Sequence, residues 1–312
     1  MKFAIFGTGG VGGYFGGKLA QAGEDVTFIA RGEHLKAIQK TGLRVDSILG
    51  NFVVQPAKAT DDPAKVGTVD VVLVCTKAYS VPDAIEQIKP LMGENSFAVW
   101  LGNGIEPTDQ LVKAFGQKRV IGGLTHISTF IAEPGYIKHV GIQPHIAIGE
   151  LDRSHSARVD SLLKIFTSIP EIQADVPDDI RVAMWEKFIF IVGVGGVGAV
   201  TRQPMGVYRS VPETRTMLLK VLEEVVQVAR ARGITLDKDS AQRILMNEID
   251  TKAAGVFASM QKAIMEGQPS ELDNQTGAVV RMGRERNVPT PVNDFIYAAL
   301  LPMEMKARGK IS

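Results

Sequence analysis

The sequence predicts an α/β chain in two parts: a doubly wound, mainly parallel sheet covered by helices, then an all-helical region. Three observations lead there. A glycine-rich GTGGVGG at Gly7–Gly13 follows a short apolar stretch and opens a helix-length segment. Strand-length apolar runs alternate with helix-length segments through the first half, the pattern of a sheet buried on both faces. From about Asp178 onward the strand-length runs stop and apolar residues recur at helical spacing.

The opening stretch is read first. FAIF is a short strand, and YFGGKLAQAG is a helix closed by Gly23, where a helix stop is usual. DVTFIA is a second strand, which completes a βαβ unit of the Rossmann kind. Gly7, Thr8, Gly9, Gly10, Val11 and Gly12 fall at the strand-to-helix turn, where backbone N–H groups cradle a dinucleotide's phosphates. There Gly7 permits the tight turn, Gly9 lets the pyrophosphate approach the main chain, and Gly12 lets the helix pack on the strand.

The runs VDVVLVCT, FAVWLGN and RVIGGLTH continue the sheet, with PDAIEQIKPLM and PTDQLVKAFG as helices between them. GYIKHV and HIAIGEL read as two strands with no helix between, an antiparallel addition. A second glycine run, GVGGVGA at Gly193–Ala199, copies the first but not its setting. Apolar residues at Ile180, Met184, Phe188 and Val192 place it on a helix, capped by Asp178 and Asp179, and no strand follows. Four glycines each cost about 1 kcal/mol against alanine, so a break or kink near Gly195-Gly196 is expected. VPETRTMLLKVLEEVVQVARARG, KDSAQRILMNEI, FASMQKAIMEG, ELDNQTGAVVRMGRERN and PVNDFIYAALLPMEMKARG complete a helical half. The expected division is residues 1–170 for dinucleotide binding and 171–312 for substrate and catalysis.

Composition excludes several functions. The chain has 312 residues, 45% hydrophobic and 22% charged, with a formal net charge of +1. That balance predicts neither a nucleic-acid partner nor a membrane surface. The single Cys75 gives no disulfide framework, and no clustered His or carboxylate spacing suggests a metal. The start reaches glycine too soon for a signal peptide, and the longest apolar run, Phe188–Val200, is shorter than a membrane span. A cytoplasmic protein is expected.

The second strand ends FIARGEH, placing Arg31 about 20 residues beyond the first glycine. Its guanidinium fork suits a 2′-phosphate, so NADP (NADPH) is the expected cofactor. Glu33, close by, reads as a first-turn acid of the next helix.

A Rossmann half joined to a helical half is similar to the β-hydroxyacid dehydrogenase architecture. The segments GTGGVGG, TKAYSV, WLGNGIE, PGYIKHVG with IGE, MWEKF, and FASM followed by SELDNQTG resemble, in order, those of the ketopantoate reductase (2-dehydropantoate 2-reductase) family. The resemblance implies reduction of a 2-oxo acid by NADPH. It implies that Lys187 is the general acid, that Glu271 binds substrate and supports the lysine, and that Asn103 lies near nicotinamide and lysine. It further implies that Ser259 touches substrate and Lys77 the cofactor. A cation near the carbonyl oxygen is what such chemistry requires, since hydride arrival leaves negative charge there.

The pattern departs from the family at the substrate. Asparagines commonly follow the lysine by four and eight positions; here those places hold Ile191 and Gly195. A third is Val256, and Ser80 stands where an amide is frequent. The pocket is therefore expected to be more apolar, and roomier at Gly195, so that the preferred oxo acid need not be ketopantoate. A related enzyme acting on another oxo or hydroxy acid is one alternative. A non-catalytic NADP-binding regulator is another, which retention of both Lys187 and Glu271 disfavours. The resemblance allows a homodimer.

Overall fold

The computed structural model describes residues 1–311. Contacts divide the chain into two compact units, Met1–Asn103 with Pro107–Ile180, and Gly104–Glu106 with Arg181–Ser312. The sequence put the change at 170/171. Contacts put it at Ile180/Arg181, because a short strand at Gln173–Asp175 pairs with the sheet.

The first unit runs β1 (Lys2–Phe6), α1 (Gly10–Gln21), β2 (Asp25–Ile29), α2 (Gly32–Thr41), β3 (Leu43–Ser47), β4 (Phe52–Val54), β5 (Lys58–Thr60), β6 (Val69–Val74), α3 (Val81–Ile88), β7 (Met92–Trp100), α4 (Glu106–Phe115), β8 (Val120–Glu133), β9 (Tyr136–Gly149), α5 (Ala157–Thr167) and β10 (Gln173–Asp175). The strands lie in the order β4-β3-β9-β8-β7-β6-β1-β2-β5, with β10 beside β9. Parallel pairing links β2, β1, β6, β7 and β8. Successive residues of β1 enter opposite cores: Phe3 and Ile5 pack with α1, Ala4 and Phe6 with α3 and α4. GYIKHV and HIAIGEL are one continuous strand, β9, antiparallel to β8. Strands β3, β4, β5 and β10 and helix α5 were not anticipated; most are too short for a periodic signal.

Helix α1 explains the opening glycines more fully than phosphate binding alone. A Cβ at Gly12 or Gly16 would lie 2.9 or 2.6 Å from Ile5 of β1. A Cβ at Gly13 would meet Ile137 of β9 at 2.0 Å, and one at Gly17 would meet Phe52 of β4 at 2.8 Å. The two pairs, each spaced by one helical turn, face two different strand layers. The helix lies between them, and only hydrogen fits on either side.

The second unit is helical: α6 (Ile180–Thr201), α7 (Met205–Ser210), α8 (Pro212–Ala231), α9 (Ser240–Ile244) continuing into a π-helical turn at Leu245–Ile249, α10 (Ser259–Met265), α11 (Thr276–Arg286) and α12 (Pro291–Ala307). The expected break in α6 is absent; the helix continues through all four glycines. Close packing compensates for their low propensity. A Cβ at Gly193 would stand 2.4 Å from Leu222 of α8, and one at Gly198 2.5 Å from Gln261 of α10. By length and composition α6 could cross a membrane, but 67% of its most apolar window is buried in the fold, as in a core helix. Glu224 of α8, itself buried, accepts from the main-chain N–H groups of Val292 and Asn293 and so caps α12.

Candidate active site

In the first unit the predicted cofactor residues gather at one edge of the sheet. Gly7 follows β1, Arg31 follows β2, Lys77 follows β6 and Asn103 follows β7. These four strands are adjacent and parallel, so their carboxyl ends align, with the reversal of strand order between β1 and β6. That is where open α/β sheets bind ligands.

The loop geometry fits a dinucleotide. Gly7 has φ +96°, a conformation closed to most other residues. Gly9 is the N-cap of α1, and a Cβ built there meets no atom within 4 Å, so the main chain is open to an approaching group. Among the described residues no side chain caps the helix, and its first turn carries no acid. The N-terminal amides and dipole therefore remain available to an anion. Gly10 and Val11 stand in that first turn. Gly12 would bring a Cβ within 2.3 Å of the Gly7 carbonyl. Two buried hydroxyls flank the loop without a hydrogen-bond partner among the described residues: Thr76 Oγ1 beside Gly7, and Thr129 Oγ1 beside Gly10. Thr8 is buried, its hydroxyl donating to the Ile29 carbonyl at 3.0 Å.

Arg31 is exposed at the N-terminus of α2, and its Nη2 donates to Gln87 Oε1 at 2.9 Å. Glu33 is a first-turn acid of α2, as expected, and pairs with Lys36. Lys77 is exposed at the head of a 3₁₀ turn, Ala78–Ser80. Asn103 is half-buried. Cys75 is inert packing: burial pushes its thiol up to about 12.

His34 was missed by the sequence reading. Its Nδ1 accepts from the Gly135 N–H at 3.0 Å, so Nε2 carries the proton and donates to the Thr8 carbonyl at 2.7 Å. Burial lowers its pKa, favouring this neutral tautomer. His34 thus fastens the glycine loop to the β8–β9 turn.

The second unit holds the predicted catalytic pair and substrate residues. Lys187 is on α6, half-buried; desolvation pulls its ammonium from 10.5 down to about 8, and the negative charge of Glu271 acts in the opposite direction. Glu271 is buried at 5% exposure, in the turns leading into α11. Asp273, two residues on, is directed elsewhere: it accepts from Arg281 and from the Tyr297 hydroxyl. Arg281 also holds Glu106.

Lys187, Ile191 and Gly195 succeed one another at helical spacing along α6. Ile191 is half-buried. The expected room at Gly195 is taken: a Cβ there would lie 3.0 Å from Met260 Cε and 3.2 Å from Gln275 Oε1. A carboxamide has not vanished from this place; it arrives from the segment before α11. Ser259 is exposed at the first turn of α10, and Val256 is exposed in the preceding loop. Among the described residues no group of His, Cys, Asp or Glu could hold a metal ion.

Comparison with known proteins gives consistent matches. The family model for ketopantoate reductase PanE/ApbA matches residues 3–153, and that for its C-terminal part matches 179–304. A 2-dehydropantoate 2-reductase of Mesorhizobium japonicum is 30% identical over 323 residues, covering 96% of each chain. An uncharacterized oxidoreductase, YkpB, of Bacillus subtilis is 29% identical over 300 residues, covering 96% of this chain and 98% of its own. The crystal structure of a PanE/ApbA family ketopantoate reductase from Ralstonia eutropha superposes with a TM-score of 0.86 at 30% identity, covering 99% of this chain and 100% of that one.

Proposed function

The chain belongs to the ketopantoate reductase family, whose members are oxidoreductases acting on CH–OH groups, and from that premise we propose that it reduces a 2-oxo acid to the 2-hydroxy acid with NADPH in the cytoplasm. The leading reaction is 2-dehydropantoate to pantoate, a step of pantothenate biosynthesis. A bound reduced nicotinamide supplies the hydride. The glycine loop Gly7–Gly12 holds the cofactor's phosphates through main-chain amides, Arg31 meets a 2′-phosphate, and Lys77 and Asn103 act on the cofactor side.

Lys187 holds a proton at Nζ and gives it to the carbonyl oxygen as negative charge develops there. Glu271 opposes the desolvation of Lys187, keeping part of the population charged near neutrality, and accepts from substrate. Ser259 contributes a substrate contact. The observation that carries this reading is the lysine itself: a partly buried ammonium lowered to about 8, with a buried carboxylate acting on it. A general acid works best with a pKa near the operating pH.

The test is a panel of 2-oxo acids followed by loss of NADPH absorbance, with NADH alongside. Absence of oxidation with every member would defeat the proposal and favour the regulator reading. Arg31→Ala should raise the KM for NADPH at least about tenfold while leaving NADH nearly unchanged; equal losses with both would reverse the cofactor assignment. A second reading, an oxo acid more apolar than ketopantoate, is favoured by Ile191, half-buried one helical turn beyond Lys187 on α6. Higher kcat/KM for unhydroxylated branched substrates than for ketopantoate is its signature.

A further inference from the structure

Glu271 stands in a segment that is fastened immediately on its N-terminal side. The Ser270 main-chain N–H donates to both carboxylate oxygens of Glu304, at 3.1 Å each, and the Ser270 hydroxyl donates to Glu304 Oε2. The Ser270 carbonyl accepts from Arg308 Nη2 at 2.8 Å, while Arg308 Nε donates to Glu304 Oε1. Beyond Glu271, the Leu272 N–H donates to the Ser270 hydroxyl at 3.1 Å. Ser270, Glu271, Leu272 and Glu304 are all at most 5% exposed. The N–H, carbonyl and hydroxyl of one residue are thus all held, along with the N–H two residues on.

Fold stability alone is a weak reason for such an arrangement. Taking a carboxylate out of water is costly, and well-packed apolar residues serve a core as well or better. A buried ionic clamp does fix geometry, because several charge-assisted bonds must be satisfied at once. What it fixes here is the backbone on either side of Glu271, the acid whose charge acts on Lys187.

We propose that the Arg308–Glu304–Ser270 clamp sets the placement of the Glu271 carboxylate relative to Lys187, which makes Glu304 a positioning residue for the proton-donating lysine. The roles of Lys187 and Glu271 rest on the function proposed above. Glu186, next to the lysine in sequence, is engaged by Arg243, so its charge is already answered. The coupling therefore runs through Glu271.

The deciding experiment titrates Lys187 directly, by NMR of the full chain carrying ¹³C-labelled lysine, with the resonance assigned from its absence in Lys187→Ala. Glu271→Gln should lower the Lys187 pKa by removing the charge that supports the protonated form. Glu304→Gln should lower it in the same direction and reduce kcat about tenfold, with the KM for NADPH unchanged, since small displacements at a reacting centre cost turnover steeply. Ser270→Ala, which keeps the Glu304–Arg308 pair, should move both quantities less and decides the matter if Glu304→Gln fails to fold. Wild-type titration and kcat in both clamp variants, or an unmoved titration in Glu271→Gln, overturns the proposal. If no oxo acid is reduced yet the titration shifts appear, the function is wrong and the clamp stands.

Discussion

At the residue scale, the proposed proton donor Lys187 joins a chemical role to a cost. Its pKa of about 8 in the folded chain lies below the ordinary 10.5. As a proton donor it must be charged, so kcat/KM should fall as pH rises through about 8, an alkaline limb that Lys187→Ala abolishes along with most turnover while NADPH binding persists. The stability sign is the reverse. Between about pH 8 and 10.5 the unfolded chain retains a proton the folded chain has released, so this group's contribution to stability rises with pH across that window. Lys187→Met should therefore raise Tm at pH 7 and lose that advantage near pH 10, measured by calorimetry; no gain at pH 7 would mean the ammonium is well solvated. Lys187 and Glu271 were singled out in the sequence only through motifs that resemble the family's, and Arg31 through its place after the second strand. His34 and Glu304 were not. Their partners lie at Gly135 and Ser270, far along the chain, and a long-range hydrogen bond leaves no local trace in sequence.

At the scale of elements, the two glycine-rich helices show how one composition answers different needs. The sequence separated them by context, a strand before α1 and helical periodicity before α6, and the structure agrees with both readings. It was misled on the break in α6 because propensity takes no account of a neighbour that needs the space: Leu222 and Gln261 occupy what side chains at 193 and 198 would fill. Gly193→Ala should thus lower stability by about 1–3 kcal/mol despite alanine's better propensity, read as a lower denaturation midpoint with unchanged slope; an unchanged or higher midpoint would show that Leu222 yields freely. Within α1, Gly9→Ala and Gly12→Ala should part company. The former meets no protein atom and should fold normally while binding NADPH more weakly; the latter meets the Gly7 carbonyl and should lose stability as well. Equal stability losses would contradict the distinction.

At the scale of the whole molecule, the alternation of apolar runs was enough to read the parallel sheet and the change to helices, since both are repeated signals summed over many residues. The antiparallel part, β3, β4 and β9, was harder to read: β3 and β4 are short, and their pairing depends on contacts across the chain. Yet those strands supply the second wall against α1. A helix walled on both sides by strands, with hydrogen atoms as its only clearance, has little freedom to rearrange when a nucleotide arrives. The amide protons of residues 13–17, hydrogen-bonded within the helix from Gly13 onward, should accordingly exchange slowly in the nucleotide-free protein, and NADPH should add little further protection there, measured by deuterium uptake. Rapid exchange that only the nucleotide suppresses would instead reveal a loop that orders on binding. With an already rigid receptor, affinity reflects the contacts themselves rather than the entropy of shaping the cradle, so a change of coenzyme preference is more readily made at exposed Arg31 than inside the glycine turn.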